Sequence, residues 1–179
     1  MVPKDYPNEN TCSCAGVIEY GAFKYFAGGD ITGTLERGKP AWFDVESPVA
    51  DVIGPVDVAV LNHHGNRDSH NEHYVSTIRP RVWIGHSWSA NHPGESVFRR
   101  LTSTVLYPGP RDLFATNMMD ANRAVIGPAL DQAYKSMRGH IVVRVETGGK
   151  RYRVVIVDDS AETFKVKDVF EYDITEKVS

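Results

Sequence analysis

Two short apolar runs that stop at chemically loaded tips constrain this chain more than any other feature. The first, Phe23-Lys24-Tyr25-Phe26-Ala27, ends in Gly28-Gly29-Asp30, and the second, Val58-Ala59-Val60-Leu61, ends in Asn62-His63-His64-Gly65. Short runs of aromatic, β-branched and small apolar residues bounded by glycine read as buried strands. Strand tips carrying a carboxylate and a pair of imidazoles bring to a shared sheet edge the oxygen and nitrogen donors that Zn²⁺ and related divalent ions accept. Asp30, His63 and His64 are therefore the candidate metal ligands.

Other elements fall around these two. Residues 15–20 and 23–27 are apolar runs joined by Gly21-Ala22, the pattern of a β-hairpin. Residues 44–53 predict a helix with Ser47-Pro48 in its first turn, Val49, Val52 and Ile53 on one face, and Gly54-Pro55 as its stop. Residues 82–85 predict a strand and 86–91 a loop. A helix is expected over 93–106, with Val97, Phe98, Leu101 and Val105 turned to a sheet and Arg99 and Arg100 on a solvated face. Between Tyr107 and Met137, Pro108-Gly109-Pro110 and Gly127-Pro128 break any period, leaving a short strand near Leu113 and a helical turn over 130–137. Residues 141–145 and 152–158 form a valine-rich hairpin, and 164–170 a third strand.

Residues 1–11 lack periodicity and read as a tail, with 12–179 as a single domain long enough to bury a core of its own. A formal charge of -3 argues against nucleic acid or anionic membrane as partner. No apolar run approaches the roughly 20 residues of a spanning helix, and no signal peptide is legible, so a soluble, cytoplasmic chain is the default expectation. Cys12 and Cys14, one residue apart, read as unpaired thiols beside a strand.

The segment ENTCSCAGVIEYGAFKYFAGGD at 9–30 and DVAVLNHHGNRDS at 57–69 carry a family resemblance, joined by Asn91-His92-Pro93 ahead of the helix and Gly139-His140-Ile141-Val142 at the late hairpin. Together they resemble the metallo-β-lactamase fold superfamily, in the branch related to DNA-internalisation competence proteins. The resemblance implies an α+β fold of αββα type, a β-sandwich with outer helices, and a hydrolase using two zinc or similar ions such as manganese. In that reading Asp30 bridges two ions, His63 or His64 binds the second, and His92 lines the reaction cleft as proton donor or substrate contact. His63 comes first after its strand and is slightly preferred.

The family's His-x-His-x-Asp-His motif has no counterpart, since no histidine precedes His63. The chain is thus expected to correspond to the C-terminal half of such a domain, to contribute mainly one sheet layer, and to be inactive alone. A missing N-terminal half or a second copy would cover its apolar face, and phosphodiesters are the substrate class that the resemblance favours. Each candidate also has a plain role. Asp30 can cap a turn, His63 and His64 can be loop histidines, and His92 can be a structural part of the helix start. His140 reads as strand packing; His70, His73 and His86 read as surface residues. The competing function is a non-catalytic remnant or interaction module.

Overall fold

The computed structural model describes residues 7–33 and 38–174; of the expected tail, residues 1–6 lie outside the described residues. The structure is mixed α and β. A six-stranded sheet takes its strands in chain order: β1 (Gly16–Tyr20), β2 (Phe23–Ala27), β3 (Val58–Val60), β4 (Val82–Gly85), β5 (Asp112–Ala115) and β6 (Tyr134–Ser136). β1 and β2 form the expected antiparallel hairpin, and every pairing from β2 to β6 is parallel. A second, antiparallel sheet holds β7 (His140–Val145), β8 (Arg151–Val157) and β9 (Val166–Asp173).

Parallel neighbours need crossovers, which here are helical: α1 (Glu46–Ile53), α2 (Glu72–Ile78), α3 (Glu95–Thr102), and the pair α4 (Asp120–Ile126) and α5 (Pro128–Ala133). Crossovers of one hand between strands laid down in sequential order all fall on one side of a sheet. That side is buried by Phe26, Ala59, Trp83, Leu113 and Ala115 from the strands against Ala50, Tyr74, Val75, Val97, Leu101 and Leu130 from the helices. The period of two along each strand sends the alternate residues Phe23, Val58, Val82, Ile84 and Phe114 to the other side, where they meet Tyr152, Val154, Ile156 and Tyr172 of the second sheet. The layers therefore run helices, large sheet, small sheet. The expectation that the chain supplies mainly one sheet layer is corrected, because β7 to β9 fold back over the large sheet.

Other expectations shift with the packing. α3 ends at Thr102, so Val105, expected on the sheet-facing side, is 92% exposed, whereas Val97, Phe98 and Leu101 are buried as read. In α1 it is Glu46 and Ala50 that are buried, while Val52 points outward. The helical turn expected over 130–137 divides into the end of α5 and the edge strand β6. The strand expected from Phe164 begins at Val166, because Phe164 takes a left-handed backbone, φ 51°. Cys12 and Cys14 are free and exposed. No helix among the described residues is long and apolar enough to cross a membrane.

Candidate functional site

Open parallel sheets gather ligands at the carboxyl ends of their strands, and the three tips that follow β2, β3 and β4 are joined there by hydrogen bonds. The His63 N–H donates to the Gly29 carbonyl at 2.9 Å, linking the second tip to the first. His64 Nδ1 lies 2.8 Å from the His86 carbonyl, linking the second tip to the third. Asp30 is held from below by its own N–H, which donates to Ser13 Oγ at 3.0 Å.

The backbone turns through left-handed conformation at three consecutive residues, His63 (φ 47°), His64 (φ 57°) and Gly65 (φ 78°). For a residue with a Cβ this costs about 1–2 kcal/mol. Gly65 carries the largest of the three φ angles, and a Cβ there would stand 3.1 Å from both Leu61 Cδ1 and Pro93 Cβ, so that one of them would have to give way. Strain of this kind survives only where surrounding contacts over-determine it, and here it turns both imidazoles toward the edge of the sheet.

His64 Nε2 reaches 3.6 Å from Asp30 Oδ1. A carbonyl oxygen can only accept, so the contact with His86 places a proton on His64 Nδ1 and turns Nε2 toward the carboxylate. His63 has a related arrangement: Nδ1 lies 2.8 Å from Asp68 Oδ1, and Nε2 is 3.2 Å from Asn10 Nδ2, which donates to it. The Asp68 hydrogen bond, opposed by burial and aided by the charges of Asp68, Asp30 and Glu46, raises the His63 pKa above its ordinary value. The histidine preferred from the sequence is thus engaged on both nitrogens, and it is His64 that faces Asp30.

His92 stacks on His64 with ring centres 4.9 Å apart, and Trp88, 68% exposed, presents an edge to both rings. His92 is buried, and its Nδ1 has no hydrogen-bond partner among the described residues. Burial first, then the neighbouring His64 and His63 against the pull of Asp30, lowers its pKa to about 4. Burial and His64 also lower that of His86.

Beneath the tips lies a polar network that sequence reasoning missed. The Glu46 carboxylate, fully buried, accepts from Asn62 Nδ2 at 2.7 Å, from the His70 N–H at 2.7 Å and from the Asn71 N–H at 3.0 Å. It ties α1 to the first residue of the His63 turn and to the entry of α2. Burial outweighs these three bonds and pushes the Glu46 pKa up to about 7. His70, expected at the surface, is buried between Tyr74 and Trp83, and its pKa falls to about 3 through burial and the nearby Arg100. Arg100, expected on a solvated face, is half-buried and bonds the Ser69 and His70 carbonyls. His73 is exposed as read, on Asp51 at 2.7 Å; His86 is exposed; His140 is exposed on the second sheet instead of packed within it.

The structure thus brings together Asp30, His63, His64 and His92, and adds Asp68, Asn10 and Trp88. Among the described residues no group of three or more histidine, cysteine or acidic side chains is arranged to hold a metal ion. No protein-family model and no curated protein matches the chain.

Proposed function

We propose that this chain provides one half of a metal-dependent hydrolase domain of the metallo-β-lactamase type, an incomplete αββα sandwich that acts on an ester-like bond, with phosphodiesters as the favoured class. The observation that carries the reading is the 3.6 Å approach of His64 Nε2 to the Asp30 carboxylate at adjacent strand tips. The order of layers, helices, large sheet, small sheet, is three quarters of the αββα arrangement.

The donor set fits a divalent ion such as zinc or manganese in part. Asp30 and His64 would supply two of the four ligands usual for zinc, and the proton of His64 is parked on a backbone carbonyl in the manner of metal-bound histidines. His63 has the same outer-sphere support from Asp68, and releasing Asn10 would free its Nε2. The remaining ligands would come from a segment bearing the His-x-His-x-Asp-His pattern. Bound ions would lower the pKa of a water and stabilise the charge growing on a carbonyl or phosphoryl oxygen. With a pKa of about 4, His92 is neutral near pH 7, so it holds no surplus proton and serves by donating one N–H to a substrate oxygen.

The absence of a three-donor group among the described residues favours a second reading, an interaction module that retains the fold without the chemistry. Zinc titration of the full chain, followed by calorimetry, separates the two. The hydrolase reading expects weak saturable binding that disappears in Asp30→Ala and in His64→Ala and persists in His73→Ala. Equal binding by the parent and Asp30→Ala, or none at all, sinks it in favour of the module.

A further inference from the structure

The large sheet overhangs the small one. β7 is the outermost strand of its sheet, and its inward side chains Ile141, Val143 and Val145 border a groove of about 420 Å³ floored by Ile18, Phe23 and Tyr25 of the β1–β2 hairpin. Ile18, 64% exposed, and Tyr20, 50% exposed, stand outside the apolar seam that joins the two sheets. One end of the groove is fixed: a Cβ on Gly149, in the β7–β8 turn, would collide with the Tyr20 carbonyl, so the two hairpins meet there backbone to backbone.

The edge of β7 supplies the directional part of a recognition surface. The Glu146 N–H donates to the Arg151 carbonyl at 2.9 Å, and along an antiparallel pair the residues alternate between those that exchange bonds with the partner strand and those that do not. Arg144, Val142 and His140 therefore bond β8, and the N–H and C=O groups of Ile141, Val143 and Val145 point away from it. Among the described residues no strand pairs with β7 on that side. A strand laid about 4.8 Å outside β7 would take up these backbone groups and carry its own inward side chains over Ile18 and Tyr25.

Charge says which strand. The groove lining holds no carboxylate, ammonium or guanidinium among the described residues, so the inward positions of the added strand are apolar. On the outward face Arg153 is paired with Glu146 at 3.2 Å and with Glu171 at 2.9 Å. Arg144, its neighbour across the ladder, is exposed and has no ion pair among the described residues. Since Arg144 bonds β8, a strand on its other side meets it in a non-hydrogen-bonded pair, where side chains are closest. A second copy pairing edge to edge would leave it unmatched, because β7 has no acid from His140 to Val145 and Glu146 is engaged by Arg153. We propose that β7 accepts an extended segment of another polypeptide as a fourth strand, apolar at alternate positions and acidic opposite Arg144. The proposal needs neither a metal ion nor the histidine tips.

The probe is the blocked peptide Lys-Val-Thr-Val-Glu-Val-Thr-Val-Lys, titrated into the full chain and followed by calorimetry and amide hydrogen exchange. Saturable binding is expected, with slowed exchange at the amides of Ile141, Val143 and Val145. The same peptide N-methylated at its two central valines should bind about tenfold or more weakly, having lost two backbone hydrogen bonds. Lysine in place of the central glutamate should weaken binding about two- to fivefold, and Arg144→Gln should abolish that difference. Ile18→Lys, at an exposed position, should melt at the parent's temperature and bind more weakly, which separates loss of the groove from damage to the fold. No saturable binding, equal binding of the N-methylated peptide, or protection at residues 16–20 in place of β7 overturns the proposal. So does a parent chain that sediments as a dimer and becomes a monomer in Ile18→Lys, since the groove would then belong to a second copy.

Discussion

Glu46→Gln isolates the buried carboxyl beneath the histidine turn. In the folded protein its pKa is about 7, against an ordinary 4.5. A raised carboxyl pKa means that between those values the native state holds a proton that the unfolded chain has released, so stability falls as pH rises through this window. The 2.5-unit difference corresponds to about 3 kcal/mol at pH 8, at 1.36 kcal/mol per unit. Glutamine has the same shape but does not titrate; its amide nitrogen faces the Asn71 N–H, a donor against a donor, costing about 1–3 kcal/mol at pH 5. His70 works in the opposite sense, because its pKa of about 3 makes the native state refuse a proton that the unfolded chain takes up below 6.5. That contribution is shared by both proteins and cancels in their difference. Urea unfolding followed by tryptophan fluorescence, at intervals from pH 4.5 to 8, should show the variant weaker at pH 5 and the gap moving in its favour by about 3 kcal/mol by pH 8. A gap that is constant, or that widens with pH, refutes the reasoning, since it would mean Glu46 is ionised throughout within its three donors.

Four other outcomes are expected. Gly65→Ala forces a Cβ to within 3.1 Å of Leu61 and Pro93 at φ 78° and should cost about 1–3 kcal/mol in denaturant unfolding. Asp68→Asn removes the main support of protonated His63, so the proton titration of that ring, followed by NMR, should move to lower pH. Leu113→Ala, at a site 1% exposed between β5 and the helices, should cost about 2–5 kcal/mol. Ile156→Val, in the seam between the two sheets, should cost about 0.5–1.5 kcal/mol; a neutral result would show that the small sheet is not packed on the large one.

Much of this architecture was legible wherever a run of apolar residues had a single possible burial. The hairpin at Gly21, the strands that follow residues 57 and 81, and the valine hairpin near the end were readable because period and glycine punctuation agree. Tertiary packing decided the rest. β6 is a three-residue strand whose place depends on β5, and nothing local marks Tyr134-Lys135-Ser136 as extended. Arg100 lies beside Arg99 on α3, and only the arrival of the Ser69 and His70 carbonyls makes it a half-buried donor. His70 read as a surface residue and Glu46 drew no reading at all, because burial of an ionisable group is justified by partners far away in sequence. At the site, Asp30, His63 and His64 were read from strand tips and His92 from the resemblance at Asn91-His92-Pro93, whereas Asp68 and Asn10 act by orienting a ring, a role that residue type and spacing do not reveal.

Because each parallel strand pairs with the one before it in the chain, the large sheet can grow by accretion, one strand-and-helix unit at a time, each strand closing over the helical crossover just before it. Only the final three-stranded flap must find a preassembled surface. Native-state hydrogen exchange should register that history as two cooperative blocks, with the amides of the flap opening ahead of those in the central strands.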